Sequence, residues 1–189
     1  MKQKCFFLFI LFFISSCISF PKKNLVYHTI DLNLDTNIGN TNKTILISNI
    51  KVFPPYDTKK IYYSFRDHEL QNYSYHLWAS PISHMLLRSL VFCQNPKSKI
   101  QFITGDLNNT HYTYDLKIVV KKFLHRYYGS KSYALVDMIF ILSNKMGLIK
   151  QKEYKVKILC KDNTPYDAIV AFNKAVNKIM NDFLIYLSK

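Results

Sequence analysis

The chain has 189 residues, with 26 Lys and Arg against 12 Asp and Glu, for a formal net charge of +14. Its hydrophobic share of 49% and its four glycines exclude a disordered tail and a collagen-like or low-complexity chain. They leave almost no room for a glycine-rich phosphate cradle, and the length suits one globular domain.

The chain opens with a leader. Lys2 and Lys4 precede an unbroken apolar run from Cys5 to Ile14, and Ser15-Ser16-Cys17 follows. This is the layout of a secretory signal. A membrane span needs about 20 apolar residues, so a permanent transmembrane anchor is the weaker reading of this run. Ile14-Ser15-Ser16-Cys17 also resembles the bacterial lipobox, an aliphatic and two small residues before an acylated Cys. The expected organisation is a signal peptide over 1–16, a lipidated Cys17 with its tether over 17–24, and one domain over 25–189. The thiol is nucleophilic enough to take a diacylglyceryl group as a thioether, and two or more acyl chains hold a protein stably on a membrane. In the lipoproteins of enteric bacteria that this leader resembles, an Asp after the Cys marks retention in the inner membrane. Ile18 stands there, so the expected location is the periplasmic face of the outer membrane.

Beyond the tether, Val26–Leu32 reads as a first strand, 33–42 as a loop, Thr44–Phe53 as a strand stopped by Pro54-Pro55, and Lys60–Arg66 as a third. Ser80 and Pro81 have the chemistry of a helix start, and Ile82, Met85, Leu86 and Leu90 recur at helical spacing, predicting a helix over 81–93. Lys99–Ile103 is a brief strand. Tyr112–Tyr127 alternates, with Tyr114, Leu116, Ile118 and Val120 on one face and Asp115, Lys117 and Lys121 on the other. Gly129-Ser130 turns the chain into Ser132–Leu142, and 144–147 turns it into Leu148–Cys160. Thr164-Pro165-Tyr166-Asp167 starts a long helix to about Leu187, with Ala168, Phe172, Ala175, Ile179, Phe183 and Leu187 on one face. The fold class expected is α+β: a single domain, a mainly antiparallel sheet with a C-terminal three-strand meander, and two packed helices.

Catalytic signals are scarce. None of the six His (28, 68, 76, 84, 111, 125) has zinc-protease spacing, no Cys-x-x-Cys or Gly-x-Ser-x-Gly exists, and His76 and His84 flank a helix start without a partner at ligand spacing. Asp137 on an apolar strand is better read as structurally paired than as a general acid. We expect no enzyme, no metal and no cofactor. Cys93 and Cys160 are either a disulfide or two small buried apolar residues, since spacing along the chain does not show proximity. Lys117, Lys121, Lys155 and Lys157 form a row that is either a solvated face or a docking surface for an acidic partner or anionic headgroups. An exported protein rarely meets nucleic acid, so that partner is not expected.

The most distinctive stretch runs from Tyr63 through Arg66, Tyr73 and Tyr75 to Trp78-Ala79-Ser80-Pro81 and Leu90. Aromatics beside an Arg can build a stacked corner with the guanidinium on a ring face, while Trp78 can equally be a core plug. These residues resemble the ABC-type transport auxiliary lipoproteins, the PqiC/YmbA-like family, whose members carry an aromatic-x-x-Arg strand end, a Tyr-rich run and Trp-Ala-x-Pro opening a helix. Ser80 stands where an acid is common in the family, and the loop at 33–42 is unusually Asn-rich. The resemblance implies a non-enzymatic, lipid-anchored periplasmic component of a transporter whose substrate-binding subunit has an Mce (MlaD-like) domain. Such systems move lipids or other hydrophobic molecules between the two membranes, and the lipoprotein would dock the conduit at the outer membrane, as a homo-oligomeric ring in one arrangement. Two other readings remain: an outer-membrane assembly or envelope-integrity lipoprotein that binds a membrane protein and transports nothing, and a secreted hydrolase.

Overall fold

The computed structural model describes residues 24–34, 42–92, 99–108 and 110–188. The leader, Cys17 and Cys93 lie outside these residues. Eight strands form one sheet: β1 (Val26–His28), β2 (Lys43–Val52), β3 (Lys60–Ser64), β4 (Gln71–Trp78), β5 (Ile100–Ile103), β6 (Tyr114–Tyr128), β7 (Lys131–Asn144) and β8 (Gly147–Leu159). Two helices accompany them, α1 (Ile82–Phe92) and α2 (Pro165–Ser188).

β6 organises the sheet. Along one side it pairs antiparallel with β7, which pairs antiparallel with β8. Its other side is shared: β2 runs parallel to residues 114–120, and β3 runs parallel to His125 and Arg126. β5 lies parallel to β2, β4 antiparallel to β3, and β1 parallel to β4. The expectation of a mainly antiparallel sheet is therefore corrected: the sheet is mixed. The antiparallel neighbours β6, β7 and β8 follow one another along the chain, whereas the parallel pairs join segments far apart in sequence. Alternation within one strand does not encode such pairing.

β2 leaves β6 where the latter bulges. Pairing shifts between Val120 and Lys122, so Lys121 is the extra residue, and the amide of Phe53 makes its last bond of this run to the Val120 carbonyl at 2.9 Å. A bulge reverses which positions face inward. Leu116, Ile118 and Val120 face the core before it; Phe123 and His125 do so after it. The unbroken alternation expected over Tyr112–Tyr127 thus changes phase half-way. β4 carries no clear strand signal in the sequence because its alternation is masked by Tyr, Ser and His on a half-exposed strand, and the first strand is shorter than expected.

α2 begins with the predicted cap: the Asp167 amide donates to Thr164 Oγ1 at 3.1 Å, and the Asp167 carboxylate accepts from the same hydroxyl. At the other end Lys43 Nζ donates to the Leu187 carbonyl, placing a cation at the negative end of the helix dipole. The buried face of α2 is the predicted one. Phe172 stacks on Phe123 with centroids 4.5 Å apart, and Phe183 on Phe140 at 4.4 Å. α1 is capped from outside its own sequence, since the Asp57 carboxylate accepts from the Ser83 amide and hydroxyl at 3.1 and 2.8 Å.

A further set of contacts fixes the segment after β1. Asn173, Asn177 and Asn181 lie one helical turn apart along α2. The Asp31 amide donates to Asn173 Oδ1 at 2.7 Å and the Asn33 amide to Asn177 Oδ1 at 2.6 Å. In return Asn173, Asn177 and Asn181 donate to the carbonyls of Thr29, Asp31 and Asn33 at 3.2, 2.8 and 3.2 Å. Four helical residues advance about 6.0 Å and two extended residues about 6.6 Å, so a side-chain amide every fourth position matches a strand repeat.

Candidate functional site: an aromatic corner

The ends of β3, β4 and β6, together with the residues before α2, gather the aromatics of the distinctive stretch. Tyr63 stacks on Tyr73 at 4.5 Å, Phe65 stacks on Tyr127 at 4.4 Å, and Tyr63 meets Phe65 edge-on at 5.5 Å. His125 lies fully buried beneath them.

One directed hydrogen-bond chain runs through the corner. Tyr127 Oη donates to the Asn163 carbonyl at 3.2 Å, so its oxygen accepts from Tyr73 Oη at 3.0 Å. Tyr73 Oη, its proton spent, accepts from His125 Nδ1 at 2.6 Å. This assignment leaves His125 Nε2 as a bare lone pair with no partner among the described residues, a smaller cost than an orphaned N–H. Burial lowers the pKa of His125 to about 4. Burial, reinforced for Tyr73 by donation to Tyr127, raises both tyrosines. Tyr73, His125 and Tyr127 are thus all uncharged near neutral pH. Beside it, His28 Nε2 and His76 Nδ1 lie 3.0 Å apart with rings stacked at 5.3 Å, and burial followed by the neighbouring imidazole lowers His28.

The guanidinium of the corner is not the expected one. Arg66 has its side chain 81% exposed and sits 3.9 Å from Glu69. Arg126, buried on β6, instead donates to Ser64 Oγ and to Asp67 Oδ1, both at 2.8 Å, and to the Arg66 carbonyl. Its carbon lies 5.2 Å from the Tyr128 ring centroid. Arg66 contributes its backbone, and Arg126 supplies the charge that ties the β3–β4 turn to the sheet. Sequence reasoning missed Arg126 because it belongs to a different strand, in a run that alternation assigned to β6.

Trp78 is buried deeper, edge-on to Phe123 at 5.7 Å and to Phe172 at 5.8 Å, so it joins β4 to α2 as part of the core. Tyr75 is exposed on β4, and Pro81 sits before α1, its carbonyl accepting from the Met85 amide at 3.1 Å. Cys160 is a buried thiol raised first by that burial.

Three lysines of the row, Lys121, Lys155 and Lys157, have partners on the sheet face, and Lys117 is exposed. Lys121 bonds Glu153 at 2.7 Å, Lys155 is 3.5 Å from the same carboxylate, and Lys157 lies over the rings of Tyr133 and Tyr128 at 4.0 and 4.5 Å. Asp137 faces Lys122 and Lys155 in register. No group of His, Cys, Asp and Glu among the described residues is placed to hold a metal ion.

The family model of the ABC-type transport auxiliary lipoprotein component matches residues 33–182. The chain belongs to this family. Its fold is also that of two solved structures. Protein XCC0632 from Xanthomonas campestris, a DUF330 protein, is 19% identical with a TM-score of 0.72, over 87% of this chain and 94% of that one. The second, of an uncharacterized protein, is 16% identical with a TM-score of 0.70, over 87% and 99%. No curated protein matches the chain. Family membership makes the protein an auxiliary component of an ABC transport system and associates it with the cell envelope. The aromatic corner and the Trp78 core are where this chain carries the residues that resemble the family.

Proposed function

We propose that the chain is anchored through acylated Cys17 at the periplasmic face of the outer membrane and serves a transport system whose substrate-binding subunit has an Mce domain. In this reading it docks that subunit and helps lipids or other hydrophobic molecules pass between the inner and outer membranes. The observation that carries the reading is the family match over 33–182, which the lipobox-like leader supports independently. The corner suits docking better than turnover. The hydroxyls of Tyr73 and Tyr127 are engaged within it, its histidine is neutral and buried, and Phe65 and Tyr75 present exposed ring surface beside it. Aromatic side chains of this kind anchor interfaces.

The test is affinity capture of the full acylated chain from detergent-solubilised envelopes. An Mce-domain protein in the eluate is the expected result. A membrane β-barrel protein recovered without any Mce-domain protein overturns the transport reading in favour of an assembly or envelope-integrity role.

A further inference from the structure

The domain emerges from its tether through a patch of exposed apolar side chains. Leu25, Val26 and Tyr27, at the first strand, are 50%, 44% and 55% exposed. Tyr166, on the first turn of α2, is 65% exposed and lines a shallow cleft of about 690 Å³ together with Tyr27 and Lys174. Contiguous exposed apolar residues mark an interaction surface. Tyrosines with aliphatics and a nearby lysine are the composition that settles at the headgroup level of a bilayer.

The chain outside the described domain indicates what covers this patch. Between the expected acylation site and the patch lie only residues 17–24, which span at most about 28 Å when fully extended. Lys22 and Lys23 in that stretch immediately precede the patch in sequence and bring two cations that favour anionic headgroups, against Asp31 at the cleft. β1 is one edge of the sheet and β8 the opposite one, five strand spacings or about 24 Å away. Beyond the end of β7 the turn residue Met146 is 93% exposed. The patch can meet a bilayer surface with the tether slack, whereas bringing the hairpin tip there uses most of the tether's reach.

We infer that the β1 edge, through Leu25, Val26, Tyr27 and Tyr166, rests in the phospholipid interface that holds the anchor, directing the β8 edge and the β7–β8 hairpin away from the membrane. This deepens the anchored reading and rests on acylation of Cys17.

The experiment places the full acylated protein in vesicles of phosphatidylethanolamine and phosphatidylglycerol with brominated acyl chains, comparing Tyr166→Trp with Met146→Trp. The single native Trp78 is buried in the core and gives the same background in both. The added fluorescence of Tyr166→Trp should be quenched at least about twofold more than that of Met146→Trp, as expected for a ring seated in the interface. Leu25→Asp in the Tyr166→Trp background should relieve that quenching. Equal quenching, or stronger quenching at position 146, overturns the orientation. Mass spectrometry of the same preparation separates the two readings. An acylated Cys17 with no quenching at 166 defeats this inference alone, whereas a bare Cys17 defeats the anchored reading and this inference with it.

Discussion

Trp78 sits where β4 meets α2, packed edge-on against the stacked pair of Phe123 and Phe172, and so behaves as core despite lying in the stretch that carries the family resemblance. Trp78→Ala should cost roughly 3–5 kcal/mol, read as a lower midpoint in denaturant unfolding. Unchanged stability would mean that the indole is not packed as described. His125 makes a prediction about pH. Its folded pKa of about 4 lies below the ordinary 6.5, so between those values the unfolded chain binds the proton that the folded chain refuses. The stability it contributes is fully present above about pH 6.5, falls by up to about 1.4 kcal/mol per pH unit on acidification, and levels off below about pH 4. Unfolding curves at pH 7 and 5 measure the loss. His125→Gln keeps an amide donor for Tyr73 but does not titrate, and should flatten that dependence.

The asparagines of α2 act as an element rather than as three residues. Because each binds an N–H or C=O of the extended segment, together they supply a substitute strand for chain that has left the sheet. Asn177→Ala should destabilise the protein by about 1–2 kcal/mol, the net value of the two hydrogen bonds it removes from that segment. Hydrogen exchange should accelerate at Asn33 and its neighbours while the amides of β6 and β7 keep their protection. Uniform acceleration everywhere would show that the ladder is not a local clamp. The same scale shows what the sequence makes legible. The α2 cap, its buried face and the core positions of β6 as far as Val120 follow from spacing alone. The phase change at Lys121 does not, because a bulge is set by β2 leaving β6 and β3 joining it. The ladder leaves a trace, three Asn at intervals of four beside an apolar stripe, but its partner segment is about 140 positions away in the chain. The corner is half legible for the same reason: Tyr63 and Tyr73 are adjacent strands' residues, while His125, Arg126 and Tyr127 arrive from a distant strand.

At the scale of the whole molecule, one substitution separates the ways this protein can be held on a membrane. No helix among the described residues is long and apolar enough to cross a bilayer, while the chain carries a net charge of +14. In the anchored reading proposed above, attachment rests on acyl chains at Cys17, with the exposed patch at β1 and electrostatic attraction to anionic lipid as weaker contributions. They differ in their response to salt. Each buried CH₂ contributes about 0.8 kcal/mol regardless of ionic strength. Attraction between exposed charges is screened within about 3 Å at 1 M salt. The unsubstituted protein should stay with the membrane fraction through a high-salt wash. Cys17→Ser should appear in the soluble periplasmic extract after that wash, with any binding that remains at low salt lost on raising it. Its melting temperature should match that of the parent, because position 17 precedes the domain. Salt-resistant membrane association of the Cys17→Ser protein would require an attachment other than a thioether-linked lipid, and would remove the basis for placing the anchor at that residue.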